Sequence, residues 1–489
     1  MTGTERSAAH QRWTSAPASA IALVTFFGSW AALAWVVMKS LGLRPAGDDY
    51  CWAVGAAYGP LDGLRFWWET FAGYAVHNGS LTYVVGMPLL HLPVSLVSAV
   101  PFLIAALAVG LVSLLPLLSS RSLTVRQRLF VLAALPTVMV LWWVYWWFPM
   151  TQDADGTNAW LAVSMVHNQN INGGYVIEVA VAIALWFSAW LLVKHRGSKW
   201  LWLFAVAGAW SALSGPALAV GNLLLLVAAL VWWLWFGRDR ESKLLTGILI
   251  GAALIVVFSL VAHVAPGTQA RANRMGTSFD LSLTRIGEWF IHVFPDSALV
   301  WIEAFSSPGL LIGFGTVISL GYAIRKLGFA PNMILLRNLT LAAVGFALTL
   351  AVASRITNFF VYDAPYHAVP ARIAAFLAVL WGGLALGVFI AERWNRQNFV
   401  AAPLLLVALV VTLSGAAVAV HMTVAIDARK TEWDQGPAPV IGIVTDYLEW
   451  PNARTCWQDL IQIRPDLPKR GQGDPPYVFQ LGERRPVLT

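Results

Sequence analysis

Residues 18–50 read ASAIALVTFFGSWAALAWVVMKSLGLRPAGDDY. The part from Ala18 to Met38 carries no charge, and as an α-helix it is long enough to cross the hydrocarbon core of a bilayer. Residues 1–17 ahead of it are polar and no clear small-residue cleavage site follows, so the run is expected to remain as a first membrane helix. Lys39 and Arg44 close it, and the chain then sets two carboxylates side by side, Asp48 and Asp49, followed by Tyr50 and Trp52. Acids at the mouth of a membrane helix are costly unless solvated or paired. The stretch therefore points to both the fold class and the first place to look for chemistry.

The rest of the 489 residues repeats the first theme. The chain is 58% hydrophobic and only 12% charged, with a mean hydropathy of +0.66 and 26 Trp, which is the composition of a multi-spanning membrane protein. Apolar runs recur near residues 18–38, 95–118, 129–148, 175–193, 200–213, 217–236, 244–263, 308–324, 335–353, 372–391 and 399–420. That is roughly eleven spans, the fifth being short. Basic blocks fall after every second one: Arg121/Arg126/Arg128, Lys194/Arg196/Lys199, Arg238/Arg240/Lys243, Arg325/Lys326/Arg337 and Arg393/Arg396. The positive-inside rule then predicts a cytoplasmic N-terminus and an external C-terminus. It also accounts for the excess of 32 Lys and Arg over 25 Asp and Glu without any nucleic acid. No Gly-rich phosphate loop and no His-Glu-x-x-His metal helix occurs.

The expected architecture is an all-α, polytopic transmembrane bundle. Residues 1–17 form a cytoplasmic segment, 18–420 the membrane module, and 421–489 a polar, Pro-rich extracytoplasmic tail. The outer connections, 39–80, 149–174, 264–307 and 354–371, hold most of the acids, His, Asn and paired aromatics, so function is expected on that face. In the first loop Leu61, Leu64, Trp68, Phe71 and Ala75 recur at helical spacing opposite Asp62, Arg65 and Glu69. This pattern predicts an amphipathic helix that lies in the interface or packs on the protein body. The two cysteines, Cys51 and Cys456, both fall outside, where they form a disulfide or stay as separate thiols.

Asp48 and Asp49 are candidates for a general base or for ligands to a divalent cation, the one cofactor these acids suggest; the alternative is a solvated turn or helix cap. His77 and Asn78 close the first loop, and Asp153, Asp155 and His167 occupy the second; together they are candidates to line one polar cavity. Glu178 stands early in a span, where a carboxylate needs a partner or water. Arg271 and Arg274 follow Ala265-Pro266-Gly267 just outside the seventh span and suit phosphate binding or headgroup anchoring. Tyr50, Tyr362, His367 and Arg372 add groups suited to sugar stacking and phosphate contact.

Asp48-Asp49-Tyr50 after the first span, the interfacial helix, the stretch Ala265-Pro266-Gly267-Thr268-Gln269-Ala270-Arg271 and the outward tail together resemble the GT-C class of membrane glycosyltransferases. The likeness is to bacterial O-antigen glucosyl- and arabinosyl-type transferases and covers residues 18–430 as an architecture. In place of a Gly-Arg pair after the interfacial helix, this chain has Asn78-Gly79-Ser80. The resemblance implies a bacterial inner-membrane enzyme with an outward-facing site. Its donor would be a polyprenyl-phosphate sugar and its acceptor a glycan, lipid or protein. A transporter or lipid flippase, and a surface-polysaccharide polymerase or ligase, are the alternative readings.

Overall fold

The computed structural model describes residues 27–43, 49–70, 79–119, 125–147, 169–236, 242–268, 308–326, 331–357 and 369–393, with scattered positions in 282–305 and 403–423. These residues are helical with no strand among them. In lipid the backbone has no water to bond, so an apolar chain satisfies its own amides as helix. Five segments are long and apolar enough to cross a membrane: Ser95–Leu118, Gly174–Arg196, Ser242–Val264, Met333–Ala353 and Ala371–Arg393. Val131–Tyr145 and Pro216–Val231 are shorter apolar helices.

In chain order, α1 covers residues 27–40, α2 Asp49–Ala57 and α3 Pro60–Thr70. Helix α4, residues 79–91, contains a π-helical segment, Thr82–Gly86. Next come α5 (Ala99–Leu118), α6 (Val125–Ala133), α7 (Leu135–Trp147) and α8 (Gln169–Arg196). They are followed by α9 (Trp202–Ser214), α10 (Pro216–Phe236), α11 (Ser242–Val264), α12 (Pro308–Lys326), α13 (Met333–Thr357) and α14 (Val369–Arg393). The described part of the first-loop pattern, from Leu61, is α3, and α2 precedes it across Gly59, whose φ of 84° suits a residue without a Cβ. Phe71 and Ala75 of that pattern lie outside the described residues.

Side-chain contacts set the directions. Phe102 of α5 stacks on Trp143 of α7 at 5.0 Å, while Gly110 meets Leu135, so α5 and α7 run antiparallel. Trp142 and Tyr145 at the far end of α7 pack on Phe376 near the start of α14. Lower down, the Trp381 indole donates to the Ser113 carbonyl at 2.9 Å and ties α14 to α5. Arg325 and Glu392 meet at 3.0 Å, so α12 and α14 end side by side. In α8 and α9, Trp210 donates to the Glu178 carbonyl at 3.0 Å and Trp186 packs on Phe204, again antiparallel. The C-terminal turns of α12 and α14, which carry Arg325, Lys326 and Arg393, therefore share one end of the bundle. This is the basic end. The core between the ends is Leu, Val, Ala and Trp from α5, α7, α8, α12, α13 and α14.

Helix α9 is short. Its thirteen residues reach about 20 Å, well under the hydrocarbon thickness. Phe204 and Gly208 of α9 lie against Gly247 and Gly251 of α11, so the two helices run in parallel. That register sets Ser214 level with Val257, about 10 Å short of the end of α11 at Val264. The Ser214-Gly215-Pro216 turn into α10 is thus recessed into the bundle, with Gly215 at φ 150°. Non-helical backbone at such depth is tolerated where protein or a polar cavity covers it.

Candidate functional site

The start of α8 collects a buried carboxylate and two buried hydroxyls. Their site is built on α4. Gly86 in the π segment lies directly against the backbone of Trp52 and Ala53 in α2, and a Cβ there has no room. On the other flank, Leu81 fills the space above Gly174 near the start of α8. One turn deeper along α8 is Glu178, only 1% exposed. The π segment therefore clamps the helix that begins with Asp49 to the helix that carries Glu178. Arg372, 9% exposed, sits in the first turn of α14, which packs on α8. Neither Glu178 nor Arg372 is without a partner. A carboxylate and a guanidinium have thus been taken out of solvent within an apolar bundle, which is costly unless the protein has a use for them.

Two hydroxyls join them. Hydroxyls in these helices generally bond a carbonyl of the preceding turn, as Ser113 does with Val109, Ser211 with Ala207 and Thr316 with Ile312, at 2.7–2.8 Å. Thr82, 4% exposed, does not, and its Oγ1 has no hydrogen-bond partner. It opens the π segment, where the wider turn displaces the carbonyls from their α-helical positions; π segments recur at functional sites. Ser214, 2% exposed at the recessed turn, also leaves its Oγ unbonded. An unmet buried hydroxyl costs about 1–3 kcal/mol. Both are suited to take a hydrogen bond from a ligand or a water.

Of the residues singled out in the sequence, Glu178 and Arg372 are the two with described side chains, and both fall in this buried set. Asp49 is the first residue of α2, with Tyr50 and Cys51 following in the same helix. Asp48, in the position ahead of it, lies outside the described residues, as do His77, Asn78, Asp153, Asp155, His167, Arg271, Arg274, Tyr362, His367 and Cys456. The Ala265-Pro266-Gly267-Thr268 turn is described, and the Thr268 hydroxyl donates to the Ala262 carbonyl at 2.8 Å. That bond folds the chain back over the end of α11 just before Gln269. Among the described residues no three His, Cys, Asp or Glu gather as a metal site.

The apolar face of α3 is partly packed on the protein: Leu64 and Trp68 are half-buried and Leu64 lies against Gly79. Leu61 is 80% exposed, while Arg65 and Glu69 pair at 2.9 Å on the other side. The Glu69 carboxylate, through its hydrogen bond and then its charge, holds the Arg65 guanidinium above its ordinary pKa. The guanidinium therefore stays charged, and the pair orients this surface. Gly63 against Gly55 sets α3 closely on α2.

Sequence reasoning missed Thr82 and Ser214. For Ser214 a signal existed: Ser-Gly-Pro interrupting an apolar stretch marks a turn. For Thr82 none did, because the residues of a π segment look like those of any helix. No family model matches the chain, and no curated protein or solved structure matches it either.

Proposed function

We propose that this protein is a GT-C-type glycosyltransferase of the bacterial inner membrane. It would move a sugar from polyprenyl phosphate to a glycan, lipid or protein acceptor on the extracytoplasmic face. The observation that carries the reading is the asymmetry of the bundle. Buried Glu178, Thr82 and Ser214 gather at the start of α8, where α4 joins it to α2. Arg372 is buried in α14, which packs on α8, and the far end of α8 is basic. A lipid-linked donor brings its own membrane anchor and leaving group, so no nucleotide fold is called for.

In this reading the acceptor oxygen attacks the anomeric carbon, its proton passes to a carboxylate at Asp48 or Asp49, and the carbon–oxygen bond to the phosphate breaks with its electron pair staying on the carrier. Arg271, Arg274 and Arg372 are the cations suited to that phosphate. Thr82 and Ser214 offer hydroxyls to sugar or acceptor. Tyr50, His77, Asn78, Asp153, Asp155, His167, Tyr362 and His367 complete the proposed binding set. A divalent cation at Asp48 and Asp49 is the single cofactor this site suggests.

The test uses membranes holding the full-length protein, supplied with synthetic polyprenyl-phosphate sugars of several kinds. Release of polyprenyl phosphate with labelled product supports the proposal. Movement of intact donor between leaflets with no bond cleavage would replace it with a flippase, a reading that the recessed Ser214-Gly215-Pro216 turn favours, since broken helices line transport sites.

The orientation has its own test. A reporter active only outside the cytoplasm is expected to work when fused after residue 430 and to stay silent when fused near Arg240. The reverse pattern would turn every proposed site residue to the cytosol and end the extracytoplasmic reading.

A further inference from the structure

Helix α8 ends on Lys194-His195-Arg196, and the chain turns back into α9 through Gly197-Ser198-Lys199-Trp200. Gly197 makes the turn possible, with a φ of 92° and its amide bonded to the Val193 carbonyl at 3.1 Å. Lys199 is thereby brought back beside the end of α8. Helix α11 adds a fourth base from a distant part of the chain. Its Gly247 and Gly251 lie against Phe204 and Gly208 of α9, so in the same register Lys243 stands level with Trp200. Leu244, the next residue, packs in one apolar cluster with Trp190 and Trp200. Lys194, Arg196, Lys199 and Lys243 are all exposed.

The surroundings of these cations suit a bilayer surface. Arg196 is the last residue of the span Gly174–Arg196, which sets the group at the membrane boundary. The Lys194 ammonium rests over the Trp190 ring at 5.2 Å, the Trp200 and Trp202 rings lie 6.0 Å apart, and Trp202 is 54% exposed. Tryptophans grouped in this way belong at headgroup depth. Among the described residues no carboxylate pairs with any of the four bases. The chain has no acid between Glu178 and Asp239, and Asp239 and Glu241, outside the described residues, alternate with Arg238 and Arg240. Across 194–199 and 238–243, six Lys and Arg thus stand against two acids. The Trp200 indole N–H is buried with no acceptor. An excess of cations and a spare donor at headgroup depth are complementary to a phosphate ester.

We propose that the α8–α9 turn and the start of α11 form a docking site for an anionic phospholipid of the phosphatidylglycerol type. Its phosphate is set among Lys194, Arg196, Lys199 and Lys243, and an oxygen of the head takes the Trp200 N–H. The site lies at the far end of α8 from Glu178, and it does not depend on the sugar-transfer reading. A bound headgroup would bridge the α8–α9 turn to the start of α11.

The full-length protein in phosphatidylcholine nanodiscs, doped with phosphatidylglycerol carrying a photoreactive diazirine beside its headgroup, provides the test. After irradiation, peptides covering residues 194–202 and 242–247 are expected to be labelled several-fold more than by the matching phosphatidylcholine probe. High salt should shrink that excess. It should also exceed the one at the end of α12, where Glu392 offsets Arg325. Lys199→Gln with Lys243→Gln leaves Lys194 and Arg196 to keep the orientation of α8, and should cut the excess several-fold. Adding Lys194→Gln and Arg196→Gln should bring it down to the phosphatidylcholine level while labelling elsewhere persists. If the fourfold variant inserts wrongly, the paired one decides. Equal labelling of the parent by both probes, an excess no greater than at the end of α12, an excess that survives the paired change, or stronger labelling by a diazirine-tagged polyprenyl phosphate would each overturn the proposal.

Discussion

Replacing both Asp48 and Asp49 by Asn is expected to lower sugar transfer about a hundred- to ten-thousandfold while donor binding stays close to its starting value. The substitution separates two roles, proton acceptance and helix capping. Helix α2 begins at Asp49, and Asp is a common capping residue at helix starts. Asn caps as well as Asp does, so a purely capping pair would survive the change with little loss of stability or activity. A general base would not, because the amide cannot accept the acceptor's proton. Transfer and donor binding are both measured in membranes with a synthetic polyprenyl-phosphate sugar, first for the double variant and then for each single one. Full activity in the double variant assigns the pair to capping and removes the catalytic reading. Arg271→Ala makes the contrast: a cation that holds the carrier phosphate before and during bond breaking should weaken donor binding and turnover together.

The second large effect is expected at Glu178. Its side chain is buried in α8, one turn below the Gly174–Leu81 contact, with Trp210 bonded to its backbone carbonyl. Truncation to Ala leaves a cavity and strands the groups that hold the carboxylate, at a cost of about 3 kcal/mol. Glu178→Gln keeps the volume and part of the hydrogen bonding, so it should retain most of the stability. Thermal unfolding of the detergent-purified protein reads both, with the Ala variant melting several degrees below the parent and the Gln variant between them. Unchanged melting in Glu178→Ala would mean that the carboxylate is held by nothing and contributes nothing to the packing of α8. If the Gln variant folds normally yet transfers sugar poorly, the carboxylate belongs to the chemistry as well as to the bundle.

The membrane-spanning character, the positions of most helices and the basic blocks were all legible in the chain. The run 372–391 expected from hydropathy falls inside α14, 244–263 inside α11, and 217–236 all but coincides with α10. The reason is physical: in lipid, the apolar content of a segment decides its burial, and a buried backbone must be helical. Glu178 was legible for the same reason, since a charge inside an apolar run stands out against its surroundings. Arg372 was picked out as part of a polar connection, and its burial came from the structure.

What the residues alone could not determine is which helices touch, because van der Waals packing between equally apolar surfaces leaves little mark on composition. Only the tertiary structure joins α2 to α8 through the π segment, and that junction depends on Gly86 and Gly174, two of 39 glycines with nothing local to distinguish them. The depth of the Ser214-Gly215-Pro216 turn likewise follows from the register of α9 against α11, a contact between residues far apart in the chain. Thr82 becomes notable only once its helical turn is seen to be widened and its hydroxyl to lack the carbonyl that its counterparts use. Apolar length and charge belong to the sequence one segment at a time, whereas close approach and register belong to pairs of helices and exist only when both are in place.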